Sequence, residues 1–325
     1  MTAQKISIAR HGGPDVLDCQ ATDIPEPGPG QLLIRVQAVG VNFIEIYYRT
    51  GLYKAPLPHG LGSEGAGEVV AVGDGVTAWK AGDRVAFVSG PMGAYATHYC
   101  LPEAHAVRLP DGIDAETAAS IMLKGLTVQY LFRQTFPLHG TETVLFHAAA
   151  GGVGLLACQW ARALGVRLIG TVGSPEKTEI ALANGAWQVI DYSREDFVAR
   201  VRELTDGAGV PVVFDGVGKA TWEGSLDCLR FRGLMVSFGN ASGPVEPVNL
   251  AVLAQKGSLY VTRPTLSNHI GTRQQLEAGT ADLFDMVLSG KLVIPAPRKY
   301  RLDEAAQAHR DLAARATTGA CVLVP

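Results

Sequence analysis

Between residues 143 and 262 the chain switches repeatedly between two hydrophobic periods. Short β-favouring runs, Thr143 to His147, Arg167 to Val172, Gln188 to Ile190, Val212 to Asp215, Leu234 to Phe238 and Ser258 to Thr262, alternate with segments of helical spacing. The clearest helix puts Val153, Ala157, Trp160, Ala161 and Leu164 on one face, and Pro175 to Asn184 and Arg194 to Thr205 read as further helices. Such alternation predicts an α/β fold with a doubly wound parallel sheet of six strands. Residues before about Leu123 follow a different pattern, with β-like runs such as Gln31 to Val39 and Glu68 to Val72. Pro25, Pro27 and Pro29 cannot donate ladder bonds and mark a loop, while Gly73, Gly75 and Gly82 supply turns, so this half predicts a small β-barrel. From about Thr265 a helix, Leu276 to Leu288, leads to a last strand, Ala320 to Val324. No short repeat or low-complexity segment interrupts the plan.

The first of the six runs ends in the turn HAAAGGVG. Ala149, Gly151 and Gly154 have the spacing of a dinucleotide-binding turn: Gly151 lets the backbone approach a pyrophosphate, and Gly154 lets the helix close on the strand. Free N–H groups at the helix start then attract phosphate without a lysine. NAD-binding units carry an acidic residue about 20 positions on, whereas NADP units offer a cation. Here the second strand ends Thr171, Val172, Gly173, Ser174 with no carboxylate at its tip, and Lys177 follows, which predicts NADPH. Glu176, one position after Pro175, reads as a first-turn helix charge directed to solvent.

Composition narrows the class. A chain of 325 residues, 47% apolar with 38 glycines, suits a turn-rich protein of two domains. Its net charge of −3 gives no basic footprint for nucleic acid. The five cysteines, 19, 100, 158, 228 and 321, are scattered and never form a CxxC pair, which suits a reducing compartment. No apolar run approaches roughly 18 residues and the first residues lack a hydrophobic signal core, so a cytoplasmic protein without membrane association is expected.

HGGPDVL, GVNFIEIYYRTGLY, GLGSEGAGEVVAVGDGV, KAGDRV, GAYA, LKGLTVQYL, HAAAGGVG, GLMVSFGNASG and LYVTRPTL run through the whole chain. Together they resemble the medium-chain dehydrogenase/reductase superfamily and, within it, the quinone oxidoreductases related to zeta-crystallin. Leu145, Ala149, Ala150, Gly151, Gly152, Gly154, Gln159 and Arg162 match the family signature, and Thr141 departs from it in a turn. The resemblance implies a GroES-like catalytic domain from residues 1–124 and 265–325, a Rossmann domain from 125–264, and an active site in the cleft between them. Zinc alcohol dehydrogenases of the superfamily carry a Cys where Asn42 stands and a His where Ser63 stands. Neither the cysteines nor His11, His59, His98 and His105 offer tetrahedral zinc spacing, so no metal is expected.

Without zinc, alkoxide stabilisation is lost, but quinone reduction does not need it. The resemblance places Asn42 and Tyr47 beside the nicotinamide, Tyr53 nearer the acceptor, and Lys124 and Thr127 similarly. An amide and phenols can orient a carbonyl without committing a charge. It also implies cofactor contacts from Tyr130, Gly152, Val153, Gly173, Ser174, Lys177, Tyr192, Phe238, Gly239 and Arg315, with Lys177, Tyr192 and Arg315 around the 2′-phosphate. The expected activity is NADPH-dependent quinone reduction. Alternatives are an enone or alkenal double-bond reductase, an NADPH-binding structural protein of crystallin type, and an AU-rich RNA-binding protein. The apolar run Ser258 to Thr262 at the sheet edge predicts a homodimer.

Overall fold

The structure, a computed structural model, describes residues 2–314 and 316–325. The chain divides into two compact units: Met1–Leu126 with Ile270–Leu288 and Ile294–Pro325, and Thr127–His269 with Ser289–Val293. In chain order the strands are β1 (Thr2–Ile8), β2 (Asp18–Asp23), β3 (Gln31–Val41), β4 (His59–Gly60), β5 (Glu64–Val72), β6 (Arg84–Val88), β7 (His98–Pro102) and β8 (Ala106–Arg108). Then follow β9 (Thr143–Phe146), β10 (Arg167–Val172), β11 (Gln188–Asp191), β12 (Val210–Asp215), β13 (Leu229–Ser237), β14 (Tyr260–Thr262), β15 (Arg298–Arg301) and β16 (Cys321–Val324). The helices used below are α1 (Phe43–Thr50), α2 (Ala115–Tyr130), α3 (Gly152–Leu164), α4 (Pro175–Ala183), α5 (Phe197–Leu204) and α6 (Trp222–Cys228).

In the first unit the strands pair as a seven-stranded sheet, β15-β16-β3-β5-β6-β8 with β7 also on β3, and a three-stranded sheet, β2-β1-β4. The single barrel suggested by the sequence is thus divided between two sheets, which meet where Ile6 N–H donates to the Tyr95 carbonyl at 2.8 Å and Lys5 bridges Ala96. The long β3 bends through two register shifts against β5, which lets one strand serve several partners. β16 lies antiparallel on β3, so the chain's end completes a unit begun near its start. Ile8, Leu32, Ile34, Phe87, Tyr95, Leu101 and Leu323 fill the core.

The second unit holds one sheet in the order β11-β10-β9-β12-β13-β14, parallel throughout. Its central strands read as unbroken apolar runs because both faces are covered, and Leu145, Ile169, Val213, Trp222, Leu226 and Met235 pack together. The order reverses at β9, whose neighbours β10 and β12 lead in opposite directions, and the carboxyl ends of strands at such a switch point form a natural crevice. β13 begins five residues before the expected Leu234, because Arg232 in left-handed backbone (φ 59°) and a register shift against β12 let the strand run through an irregularity. The helix expected from Arg194 starts at Phe197, where the Asp196 carboxylate accepts from Val198 N–H as N-cap.

Candidate functional site

In the second unit the carboxyl end of β9 runs into the glycine turn, with Ala148 held at φ 57°, a strained conformation for a residue with a Cβ. Gly151 is the N-cap of α3 and no side chain caps the helix, so the first-turn N–H groups of Gly152, Val153 and Gly154 face outward with their partial positive charge. A Cβ at Gly154 would collide with the Ala148 carbonyl and the Ala149 backbone, so only glycine lets α3 sit this close to the turn. This cradle fits the pyrophosphate of a dinucleotide.

Beyond β10, Gly173 lies beneath the Tyr192 ring, whose hydroxyl occupies the space a Cβ would need. Ser174 is the N-cap of α4, but its hydroxyl serves Glu176 rather than the helix backbone, and that bond holds the exposed Glu176 carboxyl below its ordinary range. Lys177 follows in the first turn and is half-buried. Arg194, which sequence reasoning passed over, also acts electrostatically on Glu176 and pairs with Asp191 at 3.7 Å. Phe238, just past β13, packs with its ring tilted against Phe146 of β9, centroids 5.7 Å apart, and Gly239 packs on Gly216. Tyr130, buried at the end of α2, stacks flat on His269 with ring centroids 4.4 Å apart, an arrangement with no sequence signal. Arg315 lies outside the described residues.

The first unit holds the other expected residues apart from Thr127, which begins the second. Asn42 caps α1 in a capping box with Glu45, a pattern readable as N-x-x-E before an amphipathic helix. The Glu45 carboxylate accepts from Asn42 N–H at 2.8 Å and from the Ser63 hydroxyl at 2.9 Å. Glu64, the next residue along, accepts from the Asn42 amide at 2.7 Å, from Leu123 N–H at 2.6 Å and from the Lys124 ammonium at 3.1 Å. Gly40 makes room for it, since a Cβ there would collide with the Glu64 carboxylate. Both carboxylates were missed from sequence, and only their spacing to Asn42 and Ser63 hinted at them. Burial drives the Glu45 carboxyl up to about 7, helped by the like charge of Glu64 and opposed by the Ser63 bond and by Lys124. Tyr47 and Tyr53 meet edge to face at 5.1 Å, and Tyr53 packs likewise on Tyr48 at 5.6 Å. Thr127 lies on α2 three positions after Lys124 and is buried.

Zinc asks for thiolate, imidazole or carboxylate ligands in a tetrahedral set. An amide bound to Glu64 and a hydroxyl bound to Glu45 do not suit it, and among the described residues no three His, Cys, Asp or Glu side chains cluster as a metal site. No helix among those residues is long and apolar enough to cross a membrane.

Residues 28–111 match the alcohol dehydrogenase GroES-like domain, and residues 152–282 match the zinc-binding dehydrogenase family. A quinone oxidoreductase of Pseudomonas aeruginosa is 60% identical over 99% of this chain and 100% of its own length. The crystal structure of the Escherichia coli quinone oxidoreductase complexed with NADPH superposes with a TM-score of 0.98 at 50% identity, covering 99% of this chain and 100% of that one. A 2-haloacrylate reductase from a Burkholderia species is 41% identical over 98% of each chain.

Proposed function

The chain belongs to the quinone oxidoreductases of the medium-chain dehydrogenase/reductase superfamily, and from that premise we propose how its residues divide the work of NADPH-dependent quinone reduction. The activity is that of an oxidoreductase using NADPH. When bound, the cofactor supplies the hydride equivalent that the acceptor takes up. Gly151, Gly152, Val153 and Gly154 hold the pyrophosphate on the uncapped start of α3. Lys177 meets the 2′-phosphate with Ser174 and Tyr192 beside it, while Gly173 lets the chain pass close. Phe238 and Gly239 flank the nucleotide, and Thr127 and Tyr130 serve its nicotinamide end. Asn42, Tyr47, Tyr53 and Lys124 orient the acceptor.

The observation that carries this reading is the donor set around Asn42 and Ser63. An amide and a hydroxyl tied to two carboxylates provide no Lewis acid for an alkoxide, but they can position a carbonyl that accepts electrons readily. The 2-haloacrylate reductase among the relatives favours a second reading, reduction of an activated double bond by the same residues. Steady-state NADPH oxidation across para-quinones, ortho-quinones and enones separates the two. Turnover on quinones is the expected result, and turnover on enones alone would replace it with the second reading.

The assembly proposed is a homodimer through β14. This strand is an edge, Tyr260 and Val261 on it are exposed, and Phe231 is 83% exposed, an unusual position for a phenylalanine. Light scattering at micromolar concentration should give twice the chain mass; a single-chain mass would overturn it. The proposed location is the cytoplasm, which suits five free thiols.

A further inference from the structure

Reducing a quinone to a hydroquinone requires a proton for each hydride. Resting on the reading above, in which the Asn42 cluster faces the acceptor, we propose that Glu45 stores this proton and passes it through the Ser63 hydroxyl to the acceptor oxygen. Four members of the cluster, Asn42, Glu45, Glu64 and Lys124, are buried, and Ser63 alone is half-exposed. It is therefore the outlet.

The hydrogen bonds allow the step. A hydroxyl donates once and accepts as well. With Glu45 ionised, Ser63 donates inward across 2.9 Å; with Glu45 protonated on that oxygen, the carboxyl donates to Ser63 Oγ and the serine hydrogen turns outward. The other carboxylate oxygen stays on Asn42 N–H in both states. In the transfer the Ser63 O–H bond breaks as the hydroquinone O–H bond forms. The Glu45 O–H bond breaks as that of Ser63 is restored. Glu45 is left as carboxylate and recovers its proton from water.

Charge balance favours a stored proton. The cluster holds two carboxylates and one ammonium, and Lys124 is spent on Glu64 at 3.1 Å. An ionised Glu45 thus adds a buried charge without a cation in contact. The titratable groups around it are Glu64, Lys124, Tyr48 and Tyr95; burial comes first in holding both phenols protonated, followed by Tyr53 and then Glu45 at Tyr48, and by Glu45 and then Glu64 at Tyr95. Glu45 is therefore protonated below about pH 7 and loses its proton above it.

The test uses the full-length protein with Glu45→Gln, which keeps a partner for Asn42 N–H and for Ser63 but has no proton to give, and with Ser63→Ala and Ser63→Thr. For a quinone whose hydroquinone is a weak acid, the first two should lower kcat by about a hundredfold and Ser63→Thr should retain most of it. NADPH affinity should change by less than about twofold, because the relay touches only the acceptor step. The wild-type fall in kcat as pH rises through about 7 should disappear in Glu45→Gln. The loss should shrink for halogenated quinones, whose hydroquinone anions need no proton before release.

A readout independent of turnover is the infrared carboxylic-acid band of the cofactor-free protein. It should be present at about pH 6, weaken by about pH 8, and be absent in Glu45→Gln. If the wild type reduces no quinone, the functional reading fails. If it does, and folded Glu45→Gln and Ser63→Ala keep its kcat and pH profile, or the band is missing, the relay alone is wrong. Should Glu45→Gln fail to fold, Ser63→Ala and the wild-type band decide.

Discussion

Two buried polar networks, one in each unit, use similar residues to opposite ends. In the second unit the Asp215 carboxylate accepts from the Ser225 and Thr221 hydroxyls at 2.9 and 2.7 Å and from Val217 and Gly218 N–H at 2.7 and 3.0 Å. Ser225 has given its hydrogen to Asp215, so it accepts from His147 Nε2–H at 2.9 Å. His147 Nδ1 in turn accepts from Thr171 at 2.8 Å, and burial lowers the ring's proton affinity so that it stays neutral. Serine, histidine and aspartate are the types of a hydrolase triad, but here the aspartate holds the serine and all three side chains are sealed. Every bond has its partner and none leads out. The Asn42–Glu45–Glu64–Lys124 cluster is as deeply buried but ends on half-exposed Ser63. A sealed network fixes a fold, whereas one with an outlet can exchange a proton.

A second sealed network within the first unit separates sealing from location and carries the largest expected effect. His309 is fully buried between Arg49, 3.0 Å from its Nδ1, and Tyr95, 3.2 Å from its Nε2. Burial first, and then the Arg49 charge, depress the His309 ring to about 3 against an ordinary 6.5. The unfolded chain therefore takes up this proton first as pH falls below 6.5, and stability should drop by about 5 kcal/mol by about pH 3. Urea unfolding across that range should show this slope flattened in His309→Gln, and an equal slope in both proteins would remove His309 from the account.

In the open network, Lys124→Met should destabilise by about 3–5 kcal/mol, because buried Glu64 loses its cation. Chemical denaturation measures it. A loss below about 1 kcal/mol would mean that solvent already reaches Glu64.

At the nucleotide turn, Lys177→Ala should weaken NADPH by about ten- to a hundredfold and leave NADH unchanged. Equal losses for both nucleotides in a fluorescence titration would displace the phosphate site. The smallest effect expected there is from Glu176→Gln, which removes an exposed negative charge but leaves an amide oxygen to accept from the Ser174 hydroxyl. NADPH should tighten by about two- to fivefold with NADH again unaffected, and no change would show that Glu176 does not feel the phosphate.

The parallel sheet, its six strands and the helix after the glycine turn were legible because contiguous apolar runs and helical spacing are local signals. By motif alone, Asn42, Lys124 and the turn glycines were legible as candidates, and Ser63 only as the position where a zinc ligand would stand. Glu45 and Glu64 were not, since nothing in the sequence says that a carboxylate will be buried, and glutamates usually are not. The partners that bury them, Gly40, Leu123 and Lys124, come from distant parts of the chain. The stack of His269 on Tyr130 and the placement of His309 against Arg49 escaped for the same reason.

The comparison is tested most directly by deleting one hydroxyl from each network, Ser63→Ala and Ser225→Ala, and measuring kcat for quinone reduction at saturating NADPH together with unfolding free energy. Ser63→Ala should lose about a hundredfold in kcat with little change in stability. Ser225→Ala should lose about 1–3 kcal/mol of stability, since Asp215 and His147 are each left short of a partner, with kcat unchanged. The opposite pattern, activity lost with Ser225 and kept without Ser63, would contradict the assignment of transfer to the open network and scaffolding to the sealed one.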